Sequence, residues 1–294
     1  RKESSAASDV YKRQYIIKAI LESTNEDIIA TYSNSVVKTN SNRVEWIKLD
    51  VTNESDIDNL NLKLNKRSIK VVYLAAYHNP DLVEKNPKIG WHINITSLSN
   101  FLNKIDNVEC FFYPSTDSVY GESQEMYHFK EEDILKPVNK YGHQKIAAET
   151  LVREYGYNVV RYPFLIGPSL LGHKKHFYDK IVEQILDGKE MDMFADSYRS
   201  SLDFATAAQL LVDLIENYSE DIPKTLNLSG DEDLSKYDIG LMIAKKIGVN
   251  QNLIKSIYLT DDSDIFLAQR ANTTLLDNFK LKKVLNKKNI RIKI

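Results

Sequence analysis

The chain has 294 residues, 43% of them hydrophobic and 27% charged, with a formal net charge of −2. That length suits one large domain or two small ones, and the charge balance gives no electrostatic reason for nucleic acid or an anionic membrane as a partner. The single cysteine, Cys110, excludes an internal disulfide and fits a reducing, cytoplasmic setting, and no apolar run reaches the ~18–20 residues needed to span a bilayer.

In chain order, residues 1–14 show no strand pattern and no glycine. Residues 15–22 read as a first helix with Ile17, Ile20 and Leu21 on one face. Residues 27–32 and 44–51 read as strands, the second alternating and ending at Asp50-Val51, with a polar helix over 54–66 after it. The continuous apolar run 70–76 predicts a strand buried on both faces. Asn79-Pro80 predicts a capped short helix with proline at its first position. Trp91, Ile95, Leu98, Leu102 and Ile105 recur at helical spacing and predict one longer helix. A strand around Cys110, a helix from Tyr141 and a strand over 158–161 follow. Strands alternating with helices imply a doubly wound parallel sheet in an α/β fold.

Past Gly167 the pattern becomes mixed. Helices are expected over 173–186, around Leu211, Leu214, Ile215 and Tyr218, and over 237–247 with Ser235 as N-cap. The division drawn is a nucleotide-binding Rossmann-like domain over 15–167 and a smaller mixed α/β substrate lobe over 168–294, interleaved with it. The basic run 280–294 is expected to be a solvated tail. His173 and His176 form the one close histidine pair, without a supporting carboxylate or cysteine, so no metal site is expected.

The chemistry concentrates in two places. Ser115-Thr116-Asp117-Ser118-Val119-Tyr120-Gly121 follows the apolar run ending at Tyr113, and Tyr141-x-x-x-Lys145 opens a helix. Four residues make about one helical turn, so Tyr141 and Lys145 share a face. A free phenol, with a pKa of ~10, is a weak acid at neutral pH, but a nearby ammonium stabilises the phenolate. A hydroxyl, a phenol and an ammonium can together polarise a carbonyl and deliver a proton to it.

These residues resemble the extended, sugar-nucleotide-modifying branch of the short-chain dehydrogenase/reductase superfamily, over roughly residues 15–285. The resemblance implies Thr116, Tyr141 and Lys145 as catalytic residues. It places Asp50, Val51, Leu74, Ala75 and Ala76, with Tyr141 and Lys145, beside a nicotinamide cofactor, and Asn94 as the asparagine that supports the site. Glu132-Asp133, Pro137, Asn139, Gly142 and Glu149 complete the usual run around the catalytic helix. Arg199 and Arg270 fall where relatives bind the substrate's diphosphate, and Thr116 would touch the substrate oxygen. The dehydratases carry Glu where Ser118 stands, and epimerases usually carry Asn where Phe164 stands; an aromatic there resembles the dTDP-4-dehydrorhamnose reductases. The implied activity is reduction of a 4-keto-deoxysugar nucleotide. An NDP-sugar epimerase and a non-catalytic regulatory protein on the same fold are the alternatives. The cofactor is NADP or NAD: Tyr32-Ser33-Asn34 offers no acid for the ribose and no arginine for a 2′-phosphate, which leans toward NADPH. The resemblance allows a homodimer.

One departure is plain. Such domains open with a strand and a Gly-rich turn that brings backbone amides to a pyrophosphate, yet the first glycine here is Gly90. Residues 5–14 resemble translated sequencing adapter, so 1–14 are expected to be non-native. The first strand and Gly-rich loop are expected to be missing and this chain inactive as it stands, with its start either extending the Ile17 helix or leaving apolar faces uncovered.

Overall fold

The computed structural model describes residues 7–33, 41–171, 175–258 and 266–294. Helix α1 (Ala7–Ser23) leads to β1 (Ile28–Tyr32) and β2 (Val44–Lys48), a parallel pair. After α2 (Glu54–Leu64) comes β3 (Ile69–Val72). Then α3 (Pro80–Lys85), α4 (Pro87–Trp91) and α5 (Ser97–Lys104) precede the long strand β4 (Val108–Thr116). The helix expected through Trp91 and Ile105 is interrupted by a π-helical turn over His92–Thr96. Beyond β4 lie β5 (His128–Phe129), α6 (Lys140–Glu154), β6 (Asn158–Tyr162) and β7 (Leu165–Ile166). The second half contains α7 (Phe177–Leu186), β8 (Met191–Phe194), β9 (Tyr198–Arg199), β10 (Leu202–Asp203), α8 (Phe204–Glu216) and β11 (Thr225–Asn227). It ends with β12 (Leu234–Ser235), α9 (Lys236–Lys246), β13 (Ile254–Ile257), β14 (Leu275–Leu276) and α10 (Phe279–Val284). The helix expected from His173 starts at Phe177, and His173 lies outside the described residues.

The main sheet runs β11-β6-β4-β3, all parallel. Successive side chains on a strand point to opposite faces, and β4 uses both. Cys110 and Phe112 pack with α1 and α8 on one face, and Phe111 and Tyr113 pack with α2, α5 and α6 on the other. Every residue of β6 is buried, as a strand covered on both faces requires. Burial also pushes the Cys110 thiol up to about 12, which keeps it unreactive. A third cluster joins α7, α9, β8 and β13 in a small lobe. The chain nonetheless returns to the main sheet, because β11 pairs with β6.

Among the described residues no strand pairs with the free edges of β1 and β3. Lys70 of β3 reaches Glu26, just ahead of β1, at 3.3 Å, an ion pair that links the two sheets. Helix α1 extends the predicted helix backwards through residues 7–14 and takes part in closing this region. Arg13 Nη1 donates to the Thr31 carbonyl of β1 at 2.6 Å, and its guanidinium lies 5.1 Å from the Trp46 ring. Tyr11 and Tyr15 are buried against Phe204.

The backbone of the basic C-terminal run is docked, although Lys283, Lys288, Arg291 and Lys293 are exposed as expected. Leu281 and Ile290 are buried, and the backbone amides of Ile290, Ile292 and Lys293 donate to Asp231, Glu232 and Asp203. Lys280, Lys282 and Lys287 pair with Glu132, Asp231 and Asp213. Otherwise the expectation failed, because every one of these acids lies far away in sequence.

At the centre sits a buried ion pair. Arg161 of β6 is held by Glu149 of α6 through Nη2–Oε2 at 2.6 Å and through Nε to both carboxylate oxygens. Arg161 Nη1 also donates to the Tyr120 hydroxyl and the Glu131 carbonyl, and Ser115 donates to Glu149. Removing one member of such a pair strands the other charge. Glu149→Ala is expected to lower the free energy of unfolding by about 3–5 kcal/mol, whereas Glu149→Leu combined with Arg161→Met should cost far less. Urea denaturation midpoints measure both, and a single-variant loss below about 1 kcal/mol would contradict the assignment.

Candidate functional site

A cleft of about 490 Å³ opens between the carboxyl ends of β3, β4 and β6 and the smaller lobe. Thr116 ends β4 there. Its hydroxyl accepts from the Ser118 amide at 3.2 Å and donates to Asp117 at 3.1 Å, starting a 3₁₀ turn over Asp117–Val119. Tyr141 and Lys145 follow one another along α6 and both line the cleft. Asn139 caps that helix by accepting the Gly142 amide at 2.9 Å and donates to the Gln269 carbonyl at 2.8 Å. Gly142 allows the approach of α6 to the turn, since a Cβ there would sit 2.6 Å from the Ser118 carbonyl oxygen and 2.5 Å from Pro137 Cβ. The Tyr-Gly pair in the sequence therefore sets Tyr141 beside the end of β4. Lys145 is 2% exposed, and its Nζ donates to the Tyr113 hydroxyl at 2.7 Å and the Pro114 carbonyl at 2.9 Å.

Leu74, Ala75 and Ala76 form the wall that continues β3. Asn94, in the π-helical turn, fixes the next residue. It accepts from the Tyr77 amide at 2.7 Å, donates to the Tyr77 carbonyl at 3.2 Å and donates to Gln144 of α6 at 2.9 Å. One buried amide thus ties the wall to the helix that carries Tyr141 and Lys145.

The opposite side is cationic. Arg199 lines the cleft, but three of its five N–H donors are engaged by backbone carbonyls. It gives hydrogen bonds of 2.7 Å to the carbonyls of Tyr198, Asn272 and Ala271, and its Nε lies 3.3 Å from Asp117. Burial raises the Asp117 carboxyl, and Arg199 opposes that rise. Arg270 pairs with Asp81 at 3.1 Å and stacks over Phe266; burial lowers its pKa. Lys236, the first residue of α9, joins them. Burial, followed by repulsion from Arg199 and Arg270, lowers its pKa to about 8.

The structure therefore gathers Thr116, Tyr141, Lys145, Leu74, Ala75, Ala76, Arg199 and Arg270 around one cleft. It does not bring Asp50 or Val51 there. Asp50 is exposed and accepts from the amide and hydroxyl of Thr52. Asn34, of the position read for cofactor choice, lies outside the described residues. Sequence reasoning missed Asp81 and Asp117 as partners of the two arginines, and it missed Lys236 altogether. Asp117 had a signal, its place between Thr116 and Ser118, whereas Lys236 reads as an ordinary first-turn lysine. Lys12 also lines the cleft, although residues 1–14 were expected to play no part.

A dinucleotide fits only in part. Thr116, Tyr141, Lys145 and the 74–76 wall suit its nicotinamide end. Among the described residues nothing forms a glycine cradle for a pyrophosphate: α1 runs unbroken from Ala7, and no glycine precedes Gly90. Among the described residues there is also no group of three or more His, Cys, Asp or Glu side chains able to hold a metal ion, and no helix long and apolar enough to cross a membrane.

The RmlD substrate binding domain family matches residues 16–292. Among curated proteins, methionine adenosyltransferase 2 subunit beta of Pongo abelii is 28% identical over 224 residues, 72% of this chain and 63% of that protein. The chain thus spans less than two thirds of that relative's length. A hypothetical dTDP-4-dehydrorhamnose reductase from Sulfolobus tokodaii superposes with a TM-score of 0.78 at 22% identity, over 96% of this chain and 94% of that one. The UDP-glucuronic acid 4-epimerase of Bacillus cereus, solved with UDP-glucuronic acid and NAD, gives a TM-score of 0.77 at 19% identity, over 97% and 91%. At these identities the two structures establish a shared fold.

With α1 unbroken and no glycine in it, side chains crowd any backbone approach to a pyrophosphate. Titrating the purified chain with NADH and NADPH is expected to show no saturation in the micromolar range. Micromolar binding of either would overturn that account of α1.

Proposed function

The chain belongs to the RmlD substrate binding domain family, and from that footing we propose that its cleft is built for nicotinamide-dependent reduction of a 4-keto-deoxysugar nucleotide, carried out once a glycine-rich turn supplies the pyrophosphate cradle. The observation that carries this reading is the convergence of Thr116, Tyr141 and Lys145 on one cleft whose far side is cationic. A bound nicotinamide would supply the hydride. The chain's own residues do the rest. Thr116 and Tyr141 hold the substrate's carbonyl oxygen between two hydroxyls, and Tyr141 passes its proton to that oxygen as negative charge develops there. Lys145 contributes positive charge beside the phenol and steadies it electrostatically. Asn94 and Gly142 keep the wall and the helix in register.

Reduction is favoured over dehydration because Ser118, without a carboxylate, stands in the turn after Thr116. It is favoured over epimerisation because the aromatic Phe164 lines the cleft. A second reading, a non-catalytic subunit on the same fold, draws on the relative named as a subunit and on the engagement of Lys145 with Tyr113.

Turnover is assayed as nicotinamide oxidation with dTDP- and UDP-linked 4-ketosugars. It is measured on this chain and on the chain with a strand and glycine-rich turn placed ahead of Tyr15. The second form is expected to turn over. In it Tyr141→Phe should lower turnover by ~10²-fold or more while leaving cofactor affinity nearly unchanged, since general acid catalysis typically contributes 10²–10⁴. Near-normal turnover of the variant would remove Tyr141 from the mechanism. Tight cofactor binding with no turnover on any ketosugar would favour the subunit reading.

A further inference from the structure

Lys236 differs from every other cation described on this side of the cleft. Arg199 donates to three backbone carbonyls and is ion-paired with Asp117, and Arg270 is paired with Asp81, so each arginine has a carboxylate beside it. Lys236 makes no hydrogen bond and no ion pair with any described residue. Its ammonium stands instead among three phenyl rings, 5.9 Å from Phe164, 5.9 Å from Phe177 and 5.7 Å from Phe194. Such rings attract a cation by their quadrupoles, but they satisfy none of its three N–H donors. Arg199 and Arg270 are close enough to repel it.

Such an arrangement is costly in the empty protein. A partly desolvated ammonium without an anion, next to two guanidinium groups, destabilises the fold that holds it. Ser235 starts α9 by a reciprocal capping box with Asp238, so the helix is positioned without help from Lys236. Packing alone would be served equally well by a methionine in the same phenyl box. A cation held there at a cost, with its donors free and facing a cleft, fits an anionic ligand that supplies the missing acceptors.

We propose that Lys236 is a specificity-determining residue that binds the diphosphate oxygens of the sugar nucleotide, together with Arg270, and that Arg199 acts as the structural clamp holding Asp117 and the 271–272 backbone in place. The assignment rests on the sugar-nucleotide reading above and names the charge that the reading left to Arg199. The phenyl box confines the ammonium to the cleft, so affinity gained on binding is paid beforehand as lost stability.

Calorimetric titration of the chain with dTDP, UDP, UDP-glucose and UDP-glucuronic acid tests this without any cofactor or turnover. Lys236→Met is expected to weaken all four by about 10- to 100-fold, as loss of charge-assisted hydrogen bonds does, while its melting temperature equals or exceeds that of the parent. Lys236→Arg should restore most of the affinity. Unchanged affinity of Lys236→Met for dTDP and UDP would overturn the assignment and leave the sugar-nucleotide reading standing. Weakening confined to UDP-glucuronic acid would also overturn it, by moving the anion from the diphosphate to the sugar. A parent chain that binds none of the four would overturn both. A lower melting temperature accompanied by unchanged affinity would make Lys236 a packing residue.

Discussion

The buried pair of Arg161 and Glu149 is the constraint on which the rest of this molecule depends. It joins β6 to α6 and, through Ser115, to the last residues of β4. Thr116 stands next to Ser115, and Lys145 lies one turn before Glu149, so the strand end and the helix that line the cleft are both referred to one charge pair. Tyr120 extends the network to Asn227, the last residue of β11, and Glu131 extends it to Lys280. A charge pair of this kind contributes little net stability when compared with well-packed apolar residues. What the structure shows it contributing is geometry, because its hydrogen bonds tie β4, β6 and α6 together at one point.

On the cationic side of the cleft, charges that look interchangeable in sequence have different surroundings. Arg199 suits a structural role because a planar guanidinium can serve three carbonyls and a carboxylate at once. Arg270 is steadied by Asp81, whose place at the start of α3 is set by the Asn79 cap. A neutralising acid beside each arginine lowers the repulsion that two bare guanidinium groups would suffer in a confined space.

Much of this was legible in the sequence, and the reason is locality. The Asn79-Pro80 start of α3, the Ser235 cap of α9 and the apolar runs of β4 and β6 are decided by residues a few positions apart. That Thr116, Tyr141 and Lys145 meet at one cleft was legible because they sit on short motifs at strand and helix ends. What was not legible is long-range. The C-terminal run reads as solvated until Asp203, Asp231 and Glu232 are seen to accept its backbone amides. Arg199 reads as a free ligand cation until its carbonyl acceptors at 271–272 are known. The phenyl box draws on three residues spread from 164 to 194 around a lysine at 236. The π-helical turn that aims Asn94 leaves no mark in a pattern that fits an unbroken helix.

The separation of β1 and β3 into different sheets among the described residues has a consequence for how the molecule is held together. A parallel sheet normally transmits cooperativity through its backbone ladder, so that adjacent strands are lost together. Here the β1–β2 pair is tied to the remainder by side chains, among them Arg13 on the Thr31 carbonyl and Lys70 on Glu26. Cooperative units follow the density of buried contacts and ladder hydrogen bonds. The β1–β2 pair is therefore kept in the cooperative unit by its shared core and not by a ladder, since Leu49 and, on α2, Ile57, Leu60 and Leu64 are buried in one cluster with Phe111 and Tyr113 of β4.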